Sequence, residues 1–182
     1  MKLSGIKRHL RSYSIVQRRK TTINHAFASA LAPCDAFDEG QLAQAMSLLG
    51  QADFNALQCV YCNSPATSWD HLVGLVKDSQ LSGYGHQIGN LVPSCRDCNS
   101  SKGNRDWRAF LRETIADVAE REKVEQTLAK YLHTYAREID LRRVQDEYPT
   151  EWQRDNEIKA EIINLMSEAD RLAERLRLQV VA

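Results

Sequence analysis

The sequence predicts an α+β protein that is mostly helical, with a small β-containing core between helical segments. Two Cys-x-x-Cys pairs, Cys59/Cys62 and Cys95/Cys98, enclose a stretch with extended character. The segments before and after this stretch carry apolar residues at spacings of three and four, which is the period of an amphipathic helix. With 182 residues and 43% hydrophobic content, the chain can build one domain or a compact core with helical additions.

The four paired cysteines form a strong zinc-binding pattern. Two thiolates three positions apart can share one Zn²⁺, and two such knuckles complete a tetrahedral four-sulfur site of the structural type. The gap from Asn63 to Ser94 is 32 residues, longer than the roughly 15 to 20 residues of a simple zinc ribbon. We therefore expect an insertion between the knuckles. A buried reduced set or disulfides would be the alternative, and Cys34 is left over in either case.

Polar residues in and after this insertion indicate a hydrolytic site. Hydrolysis of a phosphodiester needs a deprotonated water, a cation opposite the developing charge, and stabilisation of the leaving oxygen, and one hard cation can do the last two. Asp70 and Asn99 offer the oxygen ligands that Mg²⁺ or Mn²⁺ prefers. If Asp70 and His71 lie on a strand, their side chains point to opposite faces, so His71 could face the attacking water while Asp70 faces the metal. An imidazole suits the role of a base near neutral pH.

The order of these residues resembles that of the HNH nucleases. It runs Cys-x-x-Cys, Asp-His, Gly-Asn-Leu-Val-Pro and Cys-x-x-Cys-Asn-x-x-Lys. The resemblance implies a ββα-metal fold, in which a β-hairpin and a helix hold one divalent ion. It also implies that His71 is the general base, that Asp70 is a metal ligand, and that Asn90 orients the histidine loop. The third signature position is a His in many members but Asn99 here, as in the H-N-N variant found in the HNH domain of RNA-guided CRISPR nucleases.

Several of these positions also have a simpler interpretation. Asp70 and His71 could be a strand residue and a surface histidine. Asn99 could cap the helix after the second knuckle, and both roles could coexist. Lys102, which we include in the catalytic set as a phosphate contact, could instead be solvated surface. His86 could touch substrate, although a loop histidine is more often structural or exposed.

The charges are unevenly distributed although the net charge is zero. Residues 1–20 contain seven Lys or Arg and no acid, whereas residues 21–57 contain four acids and no Lys or Arg. The first 20 residues therefore resemble a basic arm that could lie along phosphates, the alternative being a solvated disordered terminus. The predicted nucleic-acid-binding residues are Lys7, Arg8, Arg11, Arg18, Arg19, Lys20, His86 and Arg105.

Secondary structure can be predicted element by element. A first helix is indicated by Ile23, Phe27, Ala30 and Leu31. It ends before Pro33, and Asp38 can cap a second helix that ends at Gly50. A bent hairpin follows around Asp70, while Lys77 to Gly89, rich in Gly, Ser and Gln, predicts a loop near the site. Extended structure resumes at Asn90–Pro93.

The C-terminal third predicts helices throughout. Arg108 to about Arg143 forms one long helix or two, Tyr148-Pro149 breaks it, and Thr150 can cap a new start. Beyond it lies an a/d heptad stripe made of Ile158, Ile162, Leu165, Ala169, Leu172 and Leu176. This stripe either packs on a helix of its own chain or forms a homodimer, which could place two active sites on the two strands of a duplex.

These patterns divide the chain into four predicted segments. Residues 1–20 are the basic arm, 21–57 the helical N-terminal part of the core, 58–110 the nuclease core, and 111–182 a C-terminal helical or coiled-coil region that could dimerise. No apolar run reaches the roughly 18 residues of a membrane span, and the N-terminus lacks the apolar stretch of a signal peptide. We therefore expect a cytoplasmic protein with no membrane partner.

The function that the sequence predicts is a metal-dependent endonuclease acting on DNA. It would carry a structural Zn²⁺ and a catalytic Mg²⁺ or Mn²⁺. Family analogy favours restriction or antiviral defence as its role. Two alternatives stay open: a non-catalytic zinc module that binds nucleic acid or protein, and an effector that cleaves RNA.

Overall fold

The structure, a computed structural model, describes residues 6–181 apart from the side chains of Arg8 and Val181. The described residues divide into two compact units. The central unit is residues 27–141, and the flanking unit consists of residues 6–26 and 142–181. Residues 1–5 of the predicted basic arm lie outside the described residues. The four-segment division stays a prediction.

The described residues form eight α-helices and four short strands. The helices are α1 (Ile6–His9), α2 (Ile15–Leu31), α3 (Glu39–Leu48), α4 (Arg96–Lys102), α5 (Trp107–Thr114), α6 (Val118–Tyr135), α7 (Leu141–Glu147) and α8 (Pro149–Val181). The strands are β1 (Ser68–His71), β2 (Val76–Lys77), β3 (Gln80–Leu81) and β4 (Leu91–Ser94), with a 3-10 turn at Ile88–Asn90 before β4. The predicted class, α+β and mostly helical, is confirmed.

Strands β1 and β4 and helix α4 form the scaffold of the site. The strands pair antiparallel, with Asp70 opposite Val92 and His71 opposite Leu91. Helix α4 begins directly after the second knuckle, because Cys95 is its N-cap and the Cys95 sulfur accepts a hydrogen bond from the Cys98 amide. Two antiparallel strands followed by a helix give the expected ββα core.

The insertion between β1 and β4 is more ordered than the loop predicted for Lys77 to Gly89. Strands β2 and β3 form a small antiparallel hairpin within it. Its two turn residues, Asp78 and Ser79, both have positive φ, at 52° and 66°. Such turns fit the right-handed twist of paired strands, but Asn-Gly or Asp-Gly usually signals them. Asp-Ser gave no such signal, so the loop prediction was wrong here.

The hydrophobic core of the central unit packs α3, α5 and α6 around the β1–β4 pair. Met46 of α3, Val92 of β4 and Leu111 of α5 are fully buried. The Tyr131 hydroxyl of α6 lies 2.5 and 2.7 Å from the carbonyl oxygens of Ile88 and Leu91, and it can donate to either. Helix α6 therefore fixes the start of β4, the strand opposite the predicted catalytic pair.

Helix boundaries confirm some predicted caps and correct others. Asp38 caps α3 as expected, since its side chain accepts a hydrogen bond from the Gln41 amide. Asn99 lies inside α4 and does not cap it. Thr150 is likewise not a cap, because α8 already begins at Pro149, a residue favoured in the first helical turn.

In the flanking unit, α8 provides the cap for α2. The Asp170 carboxylate accepts hydrogen bonds from the Ser14 hydroxyl at 2.8 Å and from the amides of Ile15 and Val16 at 2.7 and 3.1 Å. Helix α2 thus begins at Ile15, within the segment predicted as a basic arm. These hydrogen bonds hold the pKa of Asp170 below its usual value.

The predicted heptad stripe of α8 is largely exposed. Leu165, Leu172 and Leu176 are 65, 43 and 61% exposed, and Ile158 is 38% exposed. The face of α8 that carries Asp170 is the more buried one. A homodimer through the stripe stays a prediction.

Candidate zinc centre and active site

The four paired cysteines converge on one point. Their sulfur atoms all lie within 4.8 Å of one another, and those of Cys62 and Cys95 are 3.7 Å apart. A tetrahedral Zn²⁺ with bonds of about 2.3 Å to sulfur requires about 3.8 Å between sulfurs. All five cysteines are free thiols, and Cys34 lies outside the cluster. The cluster is therefore compatible with a structural zinc ion, as predicted.

Local hydrogen bonds explain why the first knuckle closes. The Cys59 amide donates to the Ser64 carbonyl at 2.7 Å, and the Asn63 amide donates back to the Cys59 carbonyl at 2.9 Å. Asn63 has a φ of 60°, a conformation that Asn tolerates better than most residues. The Val60 amide donates to the carbonyl of Pro93 in β4. The knuckle is therefore attached to the strand that leads into the second one.

The pKa values of the cysteine thiols bear on whether a cation binds at this point. Burial raises the pKa values of the Cys59 and Cys98 thiols. At Cys62 burial acts in the same direction, but hydrogen bonds from Ser64 and the neighbouring thiols lower the pKa to about 7. Four adjacent thiolates repel one another, so a bound Zn²⁺ would supply the charge that keeps them deprotonated.

Asp70 is buried and held by two partners. Its Oδ2 accepts a hydrogen bond of 2.7 Å from the Tyr61 hydroxyl. The Lys102 ammonium lies 3.0 Å from Oδ2 and 3.3 Å from Oδ1. Burial raises the pKa of the Asp70 carboxyl above its usual range, while Lys102 and Tyr61 act in the opposite direction. The carboxylate is thus fixed on the side of β1 that faces α4.

Lys102 is only 1% exposed, so the interpretation as solvated surface is wrong. Its ammonium donates to the His71 carbonyl at 2.7 Å in addition to its ion pair with Asp70. Lys102 therefore joins α4 to β1 at the Asp-His dipeptide.

Asn99 lies one turn before Lys102 on the same face of α4. Its amide nitrogen donates to the Ser68 hydroxyl at 3.1 Å and to the Trp69 carbonyl at 3.2 Å. Both residues precede Asp70 in β1. Asp70 and Asn99, the two predicted oxygen ligands, are therefore both held where β1 meets α4.

His71 is paired with the second histidine of the insertion. Its Nε2 lies 3.1 Å from Nδ1 of His86, and the two ring centroids are 5.1 Å apart. One of these nitrogens donates the proton and the other accepts it, so the contact couples the tautomers of the two rings. Because side chains alternate along a strand, His71 faces away from the side that carries Asp70.

Asn90 connects the chain segments that carry the two histidines. Its amide nitrogen donates to the carbonyls of Val73 and Gly85, and its amide oxygen accepts from the Val73 amide. Asn90 is fully buried. Its side chain therefore ties the residues after His71 to the residue just before His86.

The segment before α3 forms a second support for His86. The His86 amide donates to the Pro33 carbonyl at 2.8 Å, and the Asp35 amide donates to the His86 carbonyl at 3.2 Å. A Cβ at Gly85 would lie 2.1 Å from the Pro33 oxygen, so only glycine permits this approach. The Asp35 side chain accepts a further bond from the Ile88 amide.

Two of the residues that organise the site were not predicted. Tyr61 lies between Cys59 and Cys62, and this position within the knuckle was the only feature of the sequence that could have indicated its role. Asp35 lies in a segment with no motif at all. In contrast, each of six predicted residues makes a hydrogen bond or ion pair to β1 or to the insertion that follows it: Asp70, His71, His86, Asn90, Asn99 and Lys102.

The predicted nucleic-acid-binding residues fall into two groups. Arg105 belongs to the central unit, where its guanidinium donates to the Ser101 and Lys102 carbonyls and pairs with Glu113. His86, described above, also belongs to the central unit. The remaining residues belong to the flanking unit and lie on α1 and α2 or between them. Their exposed members are Lys7, Arg11, Arg18, Arg19 and Lys20. The side chain of Arg8 lies outside the described residues.

The helices of the described residues were compared with the requirements for a membrane span. Within residues 6–181, no helix combines the length and the apolar character that crossing a bilayer requires.

Comparison with known proteins assigns a family to this part of the chain. The HNH endonuclease family model matches residues 59–105. An 87-residue stretch is 32% identical to the CRISPR-associated endonuclease Cas9 of Corynebacterium diphtheriae, and it covers 47% of this chain but only 8% of that protein. No solved structure gives a significant match. The zinc-compatible knuckles and the ββα core together with this match identify residues 59–105 as an HNH endonuclease domain.

Proposed function

We propose that this protein is a metal-dependent endonuclease that hydrolyses DNA phosphodiester bonds. The observation that carries the proposal is that Asp70 and Asn99 are both held at the β1–α4 junction, with His71 adjacent to Asp70 on the same strand. Membership of residues 59–105 in the HNH endonuclease family supports the nuclease class. The substrate, the ion and the residue roles are our proposal.

Asp70 and Asn99 would hold a Mg²⁺ or Mn²⁺ ion. Their carboxylate and amide oxygens are hard donors of the kind these ions prefer. A carboxylate has about four acceptor positions, so Asp70 can bind an ion while it keeps Tyr61 and Lys102. The nitrogen of Asn99 donates to β1, so its oxygen would be the atom that binds the ion. When bound, the ion would neutralise charge on the phosphate and stabilise the leaving oxygen.

His71 would accept the proton of the attacking water. Its pairing with His86 sets which ring nitrogen carries a proton, so we assign His86 a positioning role. Asn90 would hold the two histidine segments in register through its three hydrogen bonds. Lys102, which contacts the Asp70 carboxylate and the His71 carbonyl, would keep the dipeptide in place. Because its side chain is fully buried, we assign it this positioning role in place of the phosphate contact predicted from the sequence.

Plasmid nicking by purified, zinc-loaded protein tests this proposal. We expect nicking that depends on added Mg²⁺ or Mn²⁺, and His71→Ala should lower the rate by about 10²- to 10⁴-fold because it removes the general base. His133, a histidine in the last turn of α6, provides a control, since His133→Ala should nick like the wild type. Undiminished nicking by His71→Ala would reject the assigned base.

Two rival functions predict different results. A non-catalytic zinc module predicts that Asp70→Ala and Asn99→Ala change nothing beyond stability, and that no ion other than zinc binds. An RNA-cleaving effector predicts faster cleavage of RNA than of DNA of the same sequence. Measured rates on matched single strands and duplexes of both nucleic acids distinguish these cases.

We propose DNA contact by the basic residues of α1 and α2 and a biological role in restriction or antiviral defence. Five exposed Lys or Arg side chains support the first proposal, because phosphate contacts are electrostatic. Family analogy alone supports the second. Phage plating on cells that express the wild type or His71→Ala tests the role: equal plating on both would reject it.

A further inference from the structure

The central unit contains an open cavity on the face of β1 that carries His71. Its volume is about 290 Å³. Its lining includes Asp35, Phe37, Trp69, His86, Ile88 and Leu91. Apart from Asp35 and His86, these side chains are apolar or aromatic.

The cavity is continuous with the proposed general base. Trp69 and His71 are two residues apart on β1 and therefore point to the same face of the strand pair. Leu91, the cross-strand partner of His71, lines the cavity. His86 also lines it and lies 3.1 Å from Nε2 of His71. One end of the cavity is thus the histidine pair.

Two aromatic rings in this lining are open to solvent. Phe37 is 81% exposed and Trp69 is 44% exposed. Phe37 lies in the segment that Pro33 and Asp35 attach to His86 and Ile88. Its backbone is therefore held in place although its ring contacts little of the protein.

We propose that this cavity takes one unpaired nucleobase of the nucleic acid substrate, stacked against Trp69 and Phe37. The proposal rests on the assignment of His71 to phosphodiester hydrolysis, because a phosphate presented to His71 carries a nucleoside on each side. Only one sugar then separates the phosphate at His71 from the base that enters the cavity. Aromatic side chains bind bases through their π-faces with little regard to sequence.

The charge of the cavity favours a base over a second phosphate. Among the described residues, its lining contains the Asp35 carboxylate and no Lys or Arg. A carboxylate repels phosphate but can accept hydrogen bonds from the amino or imino groups of a base.

The cavity also selects the state of the strand. Bases inside a duplex are covered on both faces by their neighbours, so a base can enter only when it is unpaired or extruded. The substrate at the cut is therefore single-stranded or locally unpaired.

Binding of a short single-stranded oligonucleotide, followed by fluorescence anisotropy, tests this proposal. The measurement uses zinc-loaded full-length protein with Ca²⁺ in place of Mg²⁺. We expect Trp69→Ala and Phe37→Ala each to weaken binding about ten-fold, and Trp69→Phe to restore most of the affinity. Phe54→Ala serves as the matched control, because Phe54 is 45% exposed but does not line the cavity, and it should bind like the wild type.

A fully paired duplex of the same sequence completes the test. Its affinity should be the same for the wild type and Trp69→Ala. The proposal is overturned if both alanine variants bind the single strand like the wild type, if they weaken duplex binding equally, or if the wild type binds no single strand. Wild-type plasmid nicking separates the two proposals: nicking with unaltered binding by the variants rejects only the base pocket. Trp69-dependent binding without nicking rejects only the nuclease.

Discussion

At the scale of single residues, the Tyr61 hydroxyl links the zinc knuckle to the predicted ligand Asp70. Tyr61 lies between Cys59 and Cys62, its ring packs edge-on against Phe110 at 5.2 Å, and its hydroxyl donates to the Asp70 carboxylate. Burial, then the charge of Asp70, raises the pKa of the Tyr61 hydroxyl, so it stays protonated and remains a donor. The first cysteine knuckle thus helps to orient a group of the proposed catalytic site.

We predict that Tyr61→Phe weakens Mn²⁺ binding at the catalytic site and leaves zinc content unchanged. The variant keeps the buried ring but loses a hydrogen bond to a charged group, which contributes about 1.5 to 3 kcal/mol. Denaturant unfolding measures the loss of stability, Mn²⁺ titration by electron paramagnetic resonance measures the affinity for the ion, and zinc released to a chromogenic chelator measures the zinc content.

Tyr84→Phe is the matched control. Tyr84 also donates its hydroxyl to a carboxylate, that of Glu138, but this contact is exposed. Equal Mn²⁺ affinity for Tyr61→Phe and the wild type would show that the hydroxyl does not position Asp70.

Residues that belong to a recognisable motif could be predicted from the sequence. The residues that hold them in place by hydrogen bonds could not. Cys59, Cys62, Cys95 and Cys98 stand at spacings that a metal imposes, so their convergence was predictable. The contact of Tyr61 with Asp70 depends on how the first knuckle packs against β1. Burial of Lys102 likewise depends on the placement of α4, and a lysine in isolation gives no sign of it.

At the scale of elements, the second zinc knuckle is also the start of α4. Cys95 is both a predicted zinc ligand and the N-cap of the helix that carries Asn99 and Lys102. Binding of a metal at these cysteines would therefore be coupled to formation of this helix.

We predict that Cys62→Ser lowers zinc content and the midpoint of thermal unfolding, because three sulfurs bind the ion less well. Zinc released to a chromogenic chelator and circular dichroism melts measure both quantities. Cys34→Ser is the control, since Cys34 is exposed and lies outside the cluster. A Cys62→Ser protein with wild-type zinc content and melting would contradict a four-sulfur site.

The cap of α2 by Asp170 leads to a prediction about pH. Hydrogen bonds lower the pKa of Asp170 in the folded state from its usual 3.8. A carboxyl whose pKa is lower in the folded state than in the unfolded state stabilises the protein at pH values above its unfolded-state pKa. This stabilisation is lost as the pH falls through the folded-state pKa. We therefore predict that Asp170→Ala melts at a lower temperature than the wild type at neutral pH.

The difference between Asp170→Ala and the wild type should shrink as the pH falls below 3.8. Thermal melts followed by circular dichroism at a series of pH values measure it. Asp155→Ala, which removes another carboxylate from the same helix, is the comparison variant. A difference that stays constant down to acidic pH would contradict the cap as its cause.

At the scale of the whole molecule, helical periodicity predicted which segments are helices better than it predicted which segments contact each other. The apolar spacing in residues 21–57 and 108–176 correctly indicated helices. The prediction of one helix or two for residues 108–143 was wrong, because α5, α6 and α7 divide that range. The pairing of α2 with Asp170 was not predictable, because it joins residues 154 to 156 positions apart through hydrogen bonds rather than an apolar pattern. The exposed heptad stripe shows that a seam in the sequence need not be buried within its own chain.

The order of the two units along the chain has a consequence for synthesis. Residues 27–141 are contiguous, whereas the flanking unit needs both earlier and later residues. Domains tend to fold as they leave the ribosome, beginning at the N-terminal side. The central unit can thus fold on the ribosome before Asp170, which accepts hydrogen bonds from the amides of Ile15 and Val16, has been synthesised.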